Sequence, residues 1–137
     1  MNVGEKIDPE YEKWFQIVYD ARGDTMHFVQ ARLDAGEKVR GYEVDRRLKE
    51  RFEQLGCAQY LMHRTGHNIG HRCHGIGANL DDYETHDDRC LLPGTMFSIE
   101  PGLYTDKYGV RLEYDVHITS EGETKVYGPV QDEILVI

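Results

Sequence analysis

Thr95-Met-Phe-Ser-Ile-Glu100 and Val110-Arg-Leu-Glu-Tyr-Asp-Val-His-Ile118 decide how this chain folds. The second stretch alternates strictly. Val110, Leu112, Tyr114, Val116 and Ile118 share one face, and Arg111, Glu113, Asp115 and His117 share the other. Alternation with period two marks a half-buried strand. Residues 95–100 read as its hairpin partner, with the turn centred on Asp106-Lys107. That register pairs Phe97 with Val116 and Ile99 with Tyr114 on the apolar face. On the other face it sets Glu100 opposite Glu113. Like charges directly opposed on a sheet are destabilising, so the pair needs a proton, an arginine or a cation between its carboxylates. Two readings stand at this point: a bound divalent metal, or a solvated polar face in a different register.

Upstream lie four histidines in twelve positions, His63, His67, His71 and His74, of seven in the chain. Spacings of four would align three of them on a helix, but Gly66, Gly70, Gly75 and Gly77 make a helix poor. In a strand-and-loop setting the glycines allow close backbone approach to a bound group, and the clustering points to metal or proton chemistry. Arg64 follows His63, so the H-E-x-x-H pattern of a zincin helix is absent. Cys73, beside His74, reads as a small semi-buried side chain in preference to a ligand. The acidic stretch Asp81, Asp82, Glu84, Asp87 and Asp88 lacks EF-hand spacing and reads as a solvated loop.

The beginning of the chain is helical. Asp8-Pro9 is a start signal, Asp as N-cap and Pro at N1. Tyr11, Trp14, Phe15 and Val18 then recur on one face of a 3.6-period helix, and the stripe continues through Ala21, Phe28, Val29 and Leu33 until Gly36 stops it. A second helix spans about residues 42–55, with Val44, Leu48 and Phe52 on one face and Gly56 as its C′ residue. Residues 58–62 read as a short strand, residues 78–93 as a loop, and residues 124–127 and 133–137 as closing strands around a turn at Gly122. Helices followed by antiparallel strands predict an α+β domain.

Composition narrows the function. The chain has 137 residues, which predicts one domain, and a formal net charge of −9. That balance argues against a nucleic-acid backbone or an anionic membrane as partner. No apolar run is long enough for a membrane span, and the first ten residues carry no secretory h-region. Three cysteines without a C-x-x-C pattern predict a reducing, cytoplasmic setting in preference to a disulfide scaffold.

The motifs together resemble a known family. His63-Arg-Thr-Gly-His67-Asn-Ile-Gly, with His74-Gly75 after it, is similar to the histidine motif of the pita-bread metallopeptidases, family M24. Phe97-Ser-Ile-Glu100-Pro-Gly-Leu-Tyr104 resembles their first glutamate motif, and Gly109-Val-Arg111-Leu-Glu113 their second. The Xaa-Pro branch, aminopeptidase P and prolidase, is the most similar. The resemblance implies a partial pita-bread fold, two N-terminal helices packed on a curved antiparallel sheet. It implies His67, Glu100 and Glu113 as metal ligands, His74 and Glu100 as catalytic groups, His63 as a catalytic residue lining the substrate pocket, and Arg111 in support behind the ligands. In the family two divalent ions, Mn, Co or Zn, bridge a hydroxide that attacks the peptide carbonyl. Two of the five family ligands are aspartates on opening strands that have no counterpart in residues 1–137. The usual glycine after the central histidine is Asn68. The resemblance therefore implies a single domain with three of five ligands, one divalent ion or none, and impaired hydrolysis of peptides with proline at the second position. Alternatives are a non-catalytic module that binds peptides or proteins, and metal-free amidine hydrolysis of the creatinase kind, which the Glu100/Glu113 pair disfavours. A sheet lacking its opening strands is expected to form a homodimer, through Val3 and the face of Val110, Leu112 and Tyr114.

Overall fold

The computed structural model describes residues 6–136. Helix α1 (Pro9–Asp34) begins as its sequence dictates: the Asp8 carboxylate accepts the Glu10 N–H at 2.9 Å, and Pro9 occupies the first turn, where an N–H has no helical acceptor. Its stripe of Tyr11, Phe15, Val18, Ala21 and Val29 is buried. Gly36, at φ 71°, takes the left-handed conformation that ends it. Helix α2 (Gly41–Gln54) opens with Glu43 reaching back to accept the Arg40 N–H at 2.7 Å, and buries Val44, Leu48 and Phe52.

The remaining chain is antiparallel sheet. Strands β1 (Asn68–Ile69), β2 (Met96–Ile99), β5 (Tyr114–Ile118) and β6 (Thr124–Tyr127) form one sheet in the order β1-β2-β5-β6, and β3 (Gly102–Tyr104) pairs with β4 (Gly109–Arg111) in a hairpin. The hairpin register is the one the alternation predicts. Phe97 faces Val116, Ile99 faces Tyr114, and the same register continues to Gly102 facing Arg111. Both helices cover the apolar face. Val29, Val44, Leu80, Phe97, Ile99, Val116 and Ile118 pack in one cluster, and Phe15, Val18, Leu48, Phe52, Leu103, Val110 and Leu112 in a second.

Several expectations are corrected. The single strand over residues 110–118 is divided at Leu112-Glu113. Pro101, which faces Leu112, has no N–H to donate to the ladder, so only the Leu112 N–H, donating to the Pro101 carbonyl at 3.3 Å, bonds this pair. Residues 58–62 are not a strand. Gly56, at φ 67°, ends α2, and the chain then forms a separate 3₁₀ turn, Ala58–Tyr60, where Tyr60 packs edge-on against Trp14 at 5.4 Å. Residues 133–135 form no strand and Val136 makes only an isolated bridge; Ile137 lies outside the described residues. The acidic stretch is not simply solvated, since Asp81 and Asp87 are buried as acceptors of backbone N–H groups. Val110, Leu112 and Tyr114 lie beneath the helices and offer no face to a partner, and Val3 lies outside the described residues. Among the described residues no helix is long and apolar enough to cross a membrane.

Candidate metal centre

Strand β2 occupies the middle of the site. On one side it pairs with β1, Asn68 opposite Phe97, which continues one step to place His67 beside Ser98. On its other side the hairpin register sets Glu113 across from Glu100. Ser98 and Glu100 are two residues apart and so share a face. His67 and Glu113 join them on it, opposite the face that packs on the helices. Gly66 makes the β1 approach feasible, because a Cβ there would stand 2.0 Å from the Ser98 carbonyl oxygen.

The donor atoms of His67, Glu100 and Glu113 lie within 4.8 Å of one another. His67 Nε2 is 3.5 Å from Glu100 Oε1. Adjacent ligands on an ion with bonds near 2.1 Å stand roughly 3.0–3.4 Å apart, so these groups are near ligand spacing. One imidazole with two carboxylates suits a borderline or hard divalent ion. The residues fit a metal. The His67 Nδ1–H donates to the Asn68 carbonyl at 3.1 Å, which leaves Nε2 to carry the lone pair. The Ser98 hydroxyl donates to Glu100 Oε1 at 3.1 Å and accepts the His67 N–H at 3.0 Å, fastening both ligands to one strand. Arg111 Nη1 stands 3.6 Å from Glu100 Oε2. Partial desolvation first, and the Glu100 carboxylate second, push the Glu113 carboxyl above its ordinary range, with Asp115 adding to the effect. Two carboxylates in this proximity favour a proton or a cation between them.

The cleft above these groups measures about 400 Å³ and is lined also by His63, Cys73 and His74. The His74 ring stands edge-on to His67, centroids 4.3 Å apart. His63 Nε2 bonds the Tyr104 hydroxyl at 2.8 Å while its Nδ1–H donates to the Arg64 carbonyl at 2.7 Å. All the residues expected at the site thus meet there. His71 is exposed and does not join the convergent ligands, and Cys73, expected as semi-buried, is exposed. Sequence reasoning missed three supports. Ser98, fully buried, left one signal, a hydroxyl between Phe97 and Ile99. Tyr104 left none beyond its motif. Asp45 of α2 accepts the Thr65 N–H at 2.7 Å, the Thr65 hydroxyl at 2.6 Å and the Asp82 N–H at 2.7 Å, tying the histidine segment to the helix. It is a lone acid among the apolar positions of α2, which was its signal.

A helix pair backs an antiparallel sheet whose far face gathers a histidine and two glutamates, the donor set of a candidate divalent-metal centre. A model of metallopeptidase family M24 matches residues 1–120, and the chain belongs to that family. It is similar to "Probable dipeptidase PepE" of Mycobacterium tuberculosis, 36% identical over 90 residues, 64% of this chain and 23% of that one. It is similar also to the Xaa-Pro dipeptidase of Lactobacillus helveticus, 33% identical over 98 residues, 68% and 25% of the two chains. The crystal structure of a dipeptidase from Pyrococcus horikoshii superposes with a TM-score of 0.80 at 28% identity, covering 98% of this chain and 35% of that one. The fold is therefore a partial pita-bread fold, and the chain spans between about a quarter and a third of the length of these relatives.

Proposed function

We propose that this chain carries part of the active site of a metal-dependent peptidase acting at Xaa-Pro bonds, with His67, Glu100 and Glu113 holding one divalent ion, Mn, Co or Zn. The observation that carries this reading is the convergence of those three donor sets within 4.8 Å on one sheet face, beside His63 and His74. An ion so held supplies a water acidified toward neutral pH and polarises a carbonyl. The protein's own groups do the rest. Glu100 Oε2, the oxygen not bonded to Ser98, passes a proton toward the leaving amine. The exposed His74 ring donates an N–H to the substrate carbonyl oxygen, where charge develops. His63, braced by Tyr104, lines the pocket beside the scissile bond, and Arg111 holds the Glu100 carboxylate in place. A wider groove of about 650 Å³, lined by Glu113 and the segment from Pro129 to Leu135, adjoins the site, and the substrate proposed to lie along it is a peptide with proline at its second position.

The reading includes reduced activity for this chain by itself. Removing one well-placed electrostatic group costs about 10²–10³ in rate, and three protein ligands anchor one ion less firmly than five anchor two. It also includes a second copy of the chain as partner, pairing along the outer strand β6, and a reducing cytoplasm, in keeping with the free thiols of Cys57, Cys73 and Cys90.

The test is metal content of the purified chain together with assays on Xaa-Pro dipeptides and tripeptides with added Mn²⁺, Co²⁺ or Zn²⁺. The expected result is one ion per chain, lost in Glu113→Gln, with weak turnover. Turnover on the order of 10 s⁻¹ would overturn the reduced activity. Peptide binding with neither ion nor turnover would return the chain to a non-catalytic binding module.

A further inference from the structure

We propose that Cys73 and His74 join His67 in a second metal-binding mode, one that takes Zn²⁺ through a thiolate and withdraws His74 from the substrate. The inference rests on the metal centre proposed above, whose central ligand it shares.

The donor atoms of His67, Cys73 and His74 lie within 4.8 Å of one another. Ligands of a tetrahedral zinc, with bonds of about 2.3 Å to sulfur and 2.0 Å to nitrogen, stand roughly 3.5 Å apart. The gap of about 1 Å is closed by rotation of Cys73 and His74, both exposed, without moving the core. His67 has one free lone pair, on Nε2, because its Nδ1–H is committed to the Asn68 carbonyl. An ion on that nitrogen completes its shell either with the carboxylates of Glu100 and Glu113 or with the thiolate and imidazole of the loop. Softness decides between them. Thiolate and imidazole select zinc, whereas carboxylates serve manganese as well.

The loop that presents Cys73 and His74 is built to do so. Asn68, standing where the family motif has glycine, accepts the Gly77 N–H at 3.0 Å through its side chain and donates to the Met96 carbonyl at 3.0 Å. Its backbone carbonyl takes the Gly75 N–H at 2.8 Å, and the Gly70 N–H closes on the Arg72 carbonyl at 3.1 Å. A Cβ at Gly75 would stand 2.1 Å from Asn68 Oδ1. One asparagine and the glycines around it thus fold residues 70–77 back over His67, with the thiol on the side of the cleft.

The test uses the whole chain and single metals as probes: Co²⁺ for its spectrum, Zn²⁺ and Mn²⁺ for affinity, on wild type, Cys73→Ser and Glu113→Gln. The expected result is a sulfur-to-cobalt charge-transfer band in wild type and Glu113→Gln that Cys73→Ser abolishes. Cys73→Ser also weakens Zn²⁺ binding by about tenfold or more and leaves Mn²⁺ binding unchanged. In the wild type, Zn²⁺ but not Mn²⁺ slows alkylation of Cys73 by iodoacetamide, followed by peptide mass. A wild-type cobalt complex without the sulfur band, or Zn²⁺ affinity indifferent to Cys73→Ser, overturns the thiolate mode. Mn²⁺ affinity indifferent to Glu113→Gln would overturn the carboxylate centre instead, while a surviving sulfur band would still support the thiolate mode.

Discussion

Asp8 does two jobs with one carboxylate. It caps α1 through the Glu10 N–H, and it receives the Tyr108 hydroxyl and the Lys107 ammonium, the latter at 3.1 Å, from the turn between β3 and β4. These contacts, the Tyr108 hydroxyl foremost, hold its pKa down at about 2, against 3.8 for an unperturbed aspartate. A carboxylate whose folded pKa is depressed contributes stability that is present above its unfolded value and lost as pH falls through the folded one. Thermal stability followed by circular dichroism is therefore expected to fall between about pH 4 and pH 2, and Asp8→Asn is expected to flatten that limb. An acid limb of equal slope in the variant would show that Asp8 does not couple the helix to the hairpin turn. Lys107 answers with a pKa raised above its ordinary range, by the Tyr108 hydroxyl first and then by Asp8 and Glu10.

Glycines separate two kinds of constraint at the scale of elements. Gly66 lets β1 lie against β2, where a Cβ would meet the Ser98 carbonyl oxygen at 2.0 Å. Gly66→Ala must push β1, and His67 with it, away from Glu100. Overpacking of this sort costs about 1–3 kcal/mol or more, and metal affinity is expected to fall along with urea stability. Gly23 lies inside α1, and a methyl group placed there would meet nothing within 4 Å. Gly23→Ala is expected to raise stability by about 0.5–1 kcal/mol, the helix-interior preference for alanine, with metal affinity unchanged. If the two substitutions shifted the urea midpoint in the same direction, close β1–β2 approach would not be what holds the site. The Asp8 cap, the glycine stops and the covered face were legible in the sequence, because each leaves a local periodicity or a cap residue. The Arg40–Glu43 box at the start of α2 was not read, and the hairpin register stood as one of two readings. The two-residue strand β1 was not legible. A strand so short has no period, and its pairing partner lies far along the chain, Phe97 opposite Asn68.

For the whole molecule, the outer strand β6 and the segment after it carry the exposed apolar side chains Tyr127, Val130, Leu135 and Val136. Among the described residues β6 is paired on one side only; such an edge with apolar neighbours is a ready template for another strand, and a two-fold pairing is the commonest outcome. Light scattering over a concentration series is expected to report a dimer at tens of micromolar, and Tyr127→Lys is expected to return it to one chain. A single-chain mass throughout the series would show that β6 remains unpaired. The surface expected from sequence for this contact, Val110, Leu112 and Tyr114, is spent within the chain, because α1 covers it: the Tyr114 hydroxyl donates to the Arg22 carbonyl at 3.0 Å, and the Arg22 guanidinium lies over the Tyr114 ring.

By itself the sequence determined the two faces of the hairpin strands and the start and stop of α1, and it offered the register that sets Glu100 across from Glu113 as one of two readings, which the strand pairing then selected. It could do so because alternation and helical period record the burial of one side of an element, and turn and cap residues record its ends. Only the tertiary structure decided that His67 reaches that pair, that Ser98 fastens both ligands, that Pro101 divides the long strand, and that Asn68 folds Cys73 over the cleft. Those outcomes depend on contacts between distant segments: the backbone pairing of β1 with β2, the close approach at Gly66, and the side-chain hydrogen bonds of Ser98 and Asn68. Backbone groups are the same in every residue type but proline, so the backbone pairings leave no trace in side-chain order, and a polar side chain does not name its distant partner.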